Sequence, residues 1–115
     1  MKGPGCVAKV SITIESEELA DIIRRDKKPA LVLFHGSWCG DCKAFEPTWT
    51  RWTSRKRGLT FRVEVPRGGK EWMDWALDEI PTVASFSGGA EKGRAHGVIA
   101  ESDLDRLWKM TGQNP

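Results

Sequence analysis

Ala30-Leu31-Val32-Leu33-Phe34-His35-Gly36-Ser37-Trp38-Cys39-Gly40-Asp41-Cys42-Lys43 decides the fold, because it carries an apolar strand into a cysteine pair that opens a helix. Ala30 to Phe34 is a short, unbroken apolar run preceded by Pro29, the pattern of a buried strand. Beyond the cysteines, Phe45, Trp49 and Trp52 recur at helical spacing. Helix-end amide groups stabilise a thiolate, so a C-x-x-C at this junction suits thiol–disulfide exchange.

Upstream, Val7 to Ile14 alternates, with Ala8, Val10, Ile12 and Ile14 apolar around Lys9, Ser11 and Thr13, and predicts a strand with one wetter face. Ser16-Glu17-Glu18-Leu19 opens a helix with Ser16 as N-cap and Leu19, Ile22 and Ile23 as its buried stripe. Downstream, the cysteine helix is expected from about Cys39 to Arg57, stopped by Gly58 and kinked at Pro47, which lacks a backbone donor. Leu59 to Val65 reads as a strand ended by Pro66 and Gly68-Gly69. Lys70 to about Glu79 reads as a short helix with Trp72, Trp75 and Ala76 on one side.

Thr82 to Phe86 reads as a strand, and Ser87-Gly88-Gly89 turns it into a last strand near Gly93 to His96. A final helix begins at Ser102-Asp103, with Leu104, Leu107 and Trp108 inward. The predicted order is βαβαβαββα. Such alternation implies an α/β fold, a central mixed, mostly parallel sheet flanked by helices and closed by an antiparallel edge.

A chain of 115 residues, 39% hydrophobic and 30% charged, is expected to form a single domain (1–115, core about 8–110) with ordinary soluble composition. No apolar run approaches the ~20 residues that cross a bilayer, and the first residues lack the apolar centre of a signal peptide, so the expected location is cytoplasmic. Three cysteines make a poor disulfide framework, and in a reducing compartment C-x-x-C is catalytic or metal-binding rather than structural. A net charge of +2 makes no case for nucleic acid. Arg51, Arg55, Lys56 and Arg57, with Arg62 and Arg67 nearby, are read as complementing a helix C-terminus. Six tryptophans without a tyrosine are read as core packing.

Over roughly Ala8 to Met110 the chain resembles the thioredoxin family. Trp38-Cys39-Gly40-Asp41-Cys42-Lys43 is similar to that family's W-C-G-P-C-K, with Asp41 in place of proline. Pro47 follows the second cysteine by five residues, as the family's helix proline does; Ile80-Pro81-Thr82 matches its cis-proline segment; Gly97 matches a glycine beside its substrate groove. The resemblance implies a thioredoxin fold and a protein-disulfide reductase, with Cys39 as nucleophile and Cys42 as resolving thiol. Cys39 is expected to be the more exposed of the two, and Pro81 to be cis and to turn its neighbouring backbone toward Cys39. The implied partners are disulfide-containing proteins and a separate reductase or small thiol as electron donor. No flavin or nicotinamide fingerprint is present, so no cofactor beyond the Cys39–Cys42 pair is expected, and the protein is expected to be a monomer without nucleic-acid or membrane partners.

Two departures alter the expected chemistry. Asp41 places a carboxylate between the cysteines; it opposes a second negative charge at Cys39 and predicts a more reducing couple, with Lys43 offsetting. Leu33 stands where the family carries a buried aspartate that assists proton transfer to the resolving thiol. Glu46, four residues after Cys42, Glu64 on the neighbouring strand, and His35 at the end of the active strand are the candidate substitutes, Glu64 being placed slightly ahead of Glu46. Trp38 is expected to cover the site and contact a partner, and His96 either faces the groove or is a solvated strand-end histidine.

Other readings remain open at this level. The same cysteines support oxidase or isomerase activity if their potential is high. A non-enzymatic thiol or metal-binding module is a further alternative, although a closed zinc site wants four ligands and only Cys6, His35 and His96 remain as nitrogen or sulfur donors. Cys6 is read as an incidental thiol near the terminus.

Overall fold

A computed structural model describes residues 11–113. Its elements are β1 (Ile12–Thr13), α1 (Ser16–Ala20), β2 (Ala30–His35), α2 (Gly40–Thr53), β3 (Thr60–Glu64), α3 (Glu71–Asp74), β4 (Thr82–Ser87), β5 (Ala90–His96) and α4 (Glu101–Thr111). The expected order holds. Cys6 and the proposed strand residues before Ser11 lie outside the described residues.

The five strands form one mixed sheet in the order β1-β3-β2-β4-β5. β3 runs parallel to both β1 and β2, whereas β4 runs antiparallel to β2 and β5 antiparallel to β4. The antiparallel part therefore begins one strand earlier than the closing hairpin. Central β2 is buried along Ala30 to Phe34 because its alternate side chains enter two cores. Val32 and Phe34 join Leu19, Ile23 and Trp75 on one face; Leu31 and Leu33 join Phe45, Trp49, Trp52 and Trp108 on the other. An unbroken apolar run is what a strand needs when both faces are covered.

Tryptophan packs these layers, and its indole N–H groups find partners. Trp49 donates to Ser11 Oγ, Trp52 to Asp105 and Trp75 to Ser16 Oγ, at 2.9, 2.9 and 2.7 Å. Trp52 and Trp108 meet edge to face, 5.7 Å between centroids, and join α2 to α4. Arg51 and Arg55 both pair with Glu101 on α4, so two residues of the basic cluster tie these helices together.

Several expectations change on contact with the tertiary structure. Ser16 is not an N-cap: it is the first residue of α1, buried, with its hydroxyl engaged by Trp75, and Glu15 holds the cap position without a side-chain bond. After Ala20 the helix widens into a π-helical turn over Asp21–Arg25. Ile12 is 60% exposed although Ile14 is buried, because β1 is a two-residue edge strand.

α2 stops at Thr53, ahead of the expected Arg57. Ser54 Oγ bonds back to the Arg51 carbonyl, and the next two N–H groups make tighter three-residue bonds to Trp52 and Thr53. α3 is a single turn, and Ala76 is exposed at φ +52° rather than on a helix face. The Arg94 guanidinium takes the Trp75 and Ala76 carbonyls at 2.9 Å each, which anchors the turn where the helix would otherwise run on. β5 starts at Ala90, earlier than the expected Gly93, since the tight Gly88-Gly89 turn lets pairing begin at once.

Candidate active site

The β2-to-α2 junction sets the two cysteines. Cys39 precedes the helix with extended backbone (φ −99°, ψ 115°), and its Sγ accepts the Cys42 N–H at 3.1 Å. A sulfur held by a helix-end amide sits in a field that favours negative charge. The Cys39 thiol also donates to the Ile80 carbonyl at 3.7 Å. Both cysteines are free thiols. The expected contrast in exposure is slight: Cys39 is 7% and Cys42 5% exposed. The Ile80 backbone lies over the first thiol, so helix position alone does not leave it open.

The Cys42 thiol is hard to ionise. Burial pushes its pKa up to about 12, reinforced by its hydrogen bond with Cys39 and by the charge of Asp41, while the Gly36 backbone pulls the other way. The Asp41 carboxylate thus acts on Cys42, whereas the sequence points to an effect at Cys39. Asp41 and Gly40 are exposed in the first turn of α2, and Lys43 is exposed just beyond.

Around the cysteines, Ile80, Pro81 and Thr82 form one wall. The Ile80–Pro81 bond is cis. Gly97 donates its N–H to the Pro81 carbonyl at 3.1 Å and has φ +77°, a conformation that suits glycine. Thr82 is paired with His96 in the sheet, and the His96 ring is bonded to Glu79 on the exposed side of this wall. Asp41, Phe45, Thr48, Gly97 and Val98 line an open cavity of about 240 Å³ beside α2. Val98 is 99% exposed there, an apolar residue with no core role.

Trp38 is 38% exposed and is fixed by an indole bond to the Val65 carbonyl at 2.9 Å. Trp72 lies beside it, and the Arg67 guanidinium sits 4.8 Å from its ring centroid. Gly36 makes this placement possible: a Cβ there would lie 2.7 Å from Trp38 Nε1. The sequence assigns Gly36, Glu79 and Val98 no place at the site, and it places Arg67 and Trp72 only in a basic cluster and on a helix. Only Val98, an apolar residue after a turn glycine, carried a local signal.

The three candidate proton acceptors separate clearly. His35, Cys42, Lys43 and Glu46 line one cavity of about 220 Å³, together with Gly36 and Ser37. Glu64, placed ahead of Glu46 from sequence, is exposed and does not line it; it pairs with His35 only as a strand neighbour. Register brings Glu64 next to the active strand, but the end of β3 leaves its side chain in solvent. Glu46 is bonded to Arg62 and accepts from Thr50 Oγ1 at 3.3 Å. Leu33 is 1% exposed and packed in the apolar α2/α4 core, where a carboxylate would be buried among hydrophobic side chains.

A helix-end cysteine pair facing a cis-proline loop, on a five-stranded mixed sheet with helices on both faces, defines a thioredoxin-fold thiol site. Spinach chloroplast thioredoxin f (short form) has the same fold, with a TM-score of 0.74 over 91% of this chain and 96% of that one, at 15% identity. The thioredoxin family model matches residues 10–109. Thioredoxin H2-1 of Oryza sativa subsp. japonica is 31% identical over 108 residues, covering 93% of this chain and 75% of that protein. Probable thioredoxin-2 of Caenorhabditis elegans is 29% identical over 91 residues, and the match covers 77% of this chain but 63% of the relative. The chain belongs to the thioredoxin family.

Proposed function

We propose that the protein is a thiol–disulfide oxidoreductase that reduces protein disulfides through a Cys39/Cys42 dithiol cycle. One observation carries the reading: the Cys39 sulfur is held between the Cys42 amide and the Ile80 carbonyl, at the N-terminus of a 14-residue helix. The Cys39 thiolate attacks one sulfur of a substrate disulfide, forming a mixed disulfide and releasing the first substrate thiolate. Cys42 then loses its proton and attacks Cys39 Sγ. The second substrate thiolate leaves, and the two enzyme thiols have become a disulfide while the substrate disulfide has become two thiols.

The proposed substrate wall is Ile80, Pro81, Thr82 and Gly97, with His96 and Trp38 at its edges. The Ile80 carbonyl that meets Cys39 is in place to accept a hydrogen bond from an extended substrate backbone once the thiol proton has left. A reductase or small thiol returns the electrons; family membership supports a thioredoxin reductase in this role. In this reading the protein is a cytoplasmic monomer whose redox group is the Cys39–Cys42 pair itself.

Insulin-type reduction with added dithiol tests the reading. Cys39→Ser is expected to abolish turnover, and Cys42→Ser to accumulate covalent mixed disulfides. Turnover that survives Cys39→Ser would overturn it. The reduction potential of the pair separates a reductase from an oxidase, because it sets the direction in which electrons flow.

A further inference from the structure

The cavity behind Cys42 points to a proton acceptor that the family pattern does not contain. Resolution requires Cys42 to give up its proton, yet burial pushes the pKa of that thiol well up, so it is protonated at neutral pH. A side chain that accepts the proton as Cys42 attacks would remove the barrier, and general-base assistance of this kind contributes roughly 10²–10⁴-fold.

Three ionisable side chains share the cavity with Cys42: Lys43, Glu46 and His35. Lys43 is exposed and its side chain is a hydrogen-bond donor rather than an acceptor. Glu46 is committed to Arg62 and Thr50, and protonating it would break that ion pair. His35 is different. Its Nε2 is buried and has no hydrogen-bond partner, and a buried imidazole nitrogen without a partner is uncommon in a settled core. Burial, helped by the Arg62 charge, lowers its pKa below the usual 6.5, while Glu64 and Glu46 oppose the shift. The imidazole is therefore neutral at physiological pH, with a lone pair free to take a proton.

We propose that His35 is the proton acceptor for Cys42 in the resolving step, replacing the carboxylate absent at Leu33. It acts from the end of β2, across the cavity it shares with the thiol. The Cys42 S–H proton passes to the imidazole, the Cys42 sulfur bonds to Cys39 Sγ, and the Cys39–substrate bond breaks. The resulting imidazolium lies near the Glu64 and Glu46 carboxylates, whose charges favour it. Arg62 and Lys43 weigh against it, so the proton is held only until the departing substrate thiolate or solvent takes it. The inference rests on the dithiol reading above.

Stopped-flow mixing of the reduced protein with an aromatic disulfide that releases a coloured thiolate separates the steps. The first release reports attack by Cys39 and the second reports resolution by Cys42. His35→Gln is expected to leave the first phase within about twofold and to slow the second about a hundredfold. In the wild type the second phase should fall with decreasing pH along the His35 titration followed by NMR, a comparison that needs no variant. Added imidazole should restore the second phase of His35→Ala in proportion to its neutral form, which a purely structural role would not produce. A second phase with unchanged rate and pH profile in His35→Gln overturns the proposal, as does an acid limb that does not track His35. If the wild type releases a single thiolate, and Cys39→Ser releases it equally, the dithiol reading itself fails.

Discussion

Cys42 couples the chemistry of the site to the stability of the fold. Its thiol is held near pKa 12 in the folded protein against an ordinary value of 9.0. Unfolding therefore releases a thiol that ionises more readily. The sign follows: this contribution is fully present below about pH 9 and is lost as pH rises toward 12. Urea unfolding of the reduced protein should show stability falling by up to about 1.4 kcal/mol per pH unit above that point, and Cys42→Ala should flatten the slope. Asp41 works in the same field. Its carboxylate disfavours thiolate where the family's proline would be neutral, so Asp41→Pro is expected to raise the reduction potential by on the order of 30 mV, a tenfold change in the exchange equilibrium. Equilibration against glutathione measures it, and an unchanged potential would show that Asp41 does not tune the couple. Leu33 marks the opposite constraint. Leu33→Asp would bury a carboxylate in an apolar slot, and roughly 2–5 kcal/mol of stability should be lost rather than a base restored.

At the level of elements, the short helices on the α1/α3 face are held by side-chain bonds rather than by length. A four-residue helix such as α3 has too few internal bonds to persist alone. Trp75 secures it: the ring packs on Phe34 and Phe86 at 5.7 Å, and its N–H reaches Ser16 at the start of α1. Ser16→Ala would strand that indole N–H in the core, at a cost of about 1–3 kcal/mol. In a Trp75→Phe background the same change should be nearly neutral, because no donor is left unsatisfied. This double-mutant cycle, read by urea unfolding, distinguishes the indole bond from a capping role, which would cost the same in both backgrounds. α2 is secured differently, by Trp49 and Trp52 in the opposite core and by the Arg51 and Arg55 pairs with Glu101. Its N-terminus is thereby fixed where the cysteines need it.

For the whole molecule, the two apolar cores flanking β2 dominate and the surface charges contribute little. Most ion pairs of the described residues lie on largely exposed side chains, where a pair is worth about 0–1 kcal/mol and is screened by salt; Arg62–Glu46 and Arg94–Glu91 are half-buried. Raising the salt concentration about tenfold should therefore shift the unfolding free energy by less than about 1 kcal/mol. A larger loss would mean that the Glu101 network or the Arg62–Glu46 pair carries more than its exposure suggests. The same two-core design places the site. β2 ends between the layers, and the order β1-β3-β2-β4-β5 sets the cis-proline loop before β4 against the start of α2.

The sequence by itself determined the element order, the central strand, the family and the cysteine pair. Those rest on patterns within a few residues: the unbroken apolar run of β2, the helical stripe of α2, the turn glycines before β5 and the W-C-G-D-C-K motif. Tertiary structure decided what depends on partners distant along the chain. Ser16 looked like a cap until Trp75, far along the chain, claimed its hydroxyl. The Lys70–Glu79 helix shrank to one turn because Arg94 from β5 captured the carbonyls at its end. Glu64, Glu46 and His35 were near-equivalent as candidates until strand ends and ion pairs put Glu64 in solvent, gave Glu46 to Arg62 and left His35 lining the cavity it shares with Cys42. Local periodicity encodes which element forms, whereas burial and hydrogen-bond competition between remote residues decide where each element stops and which side chain is free to react.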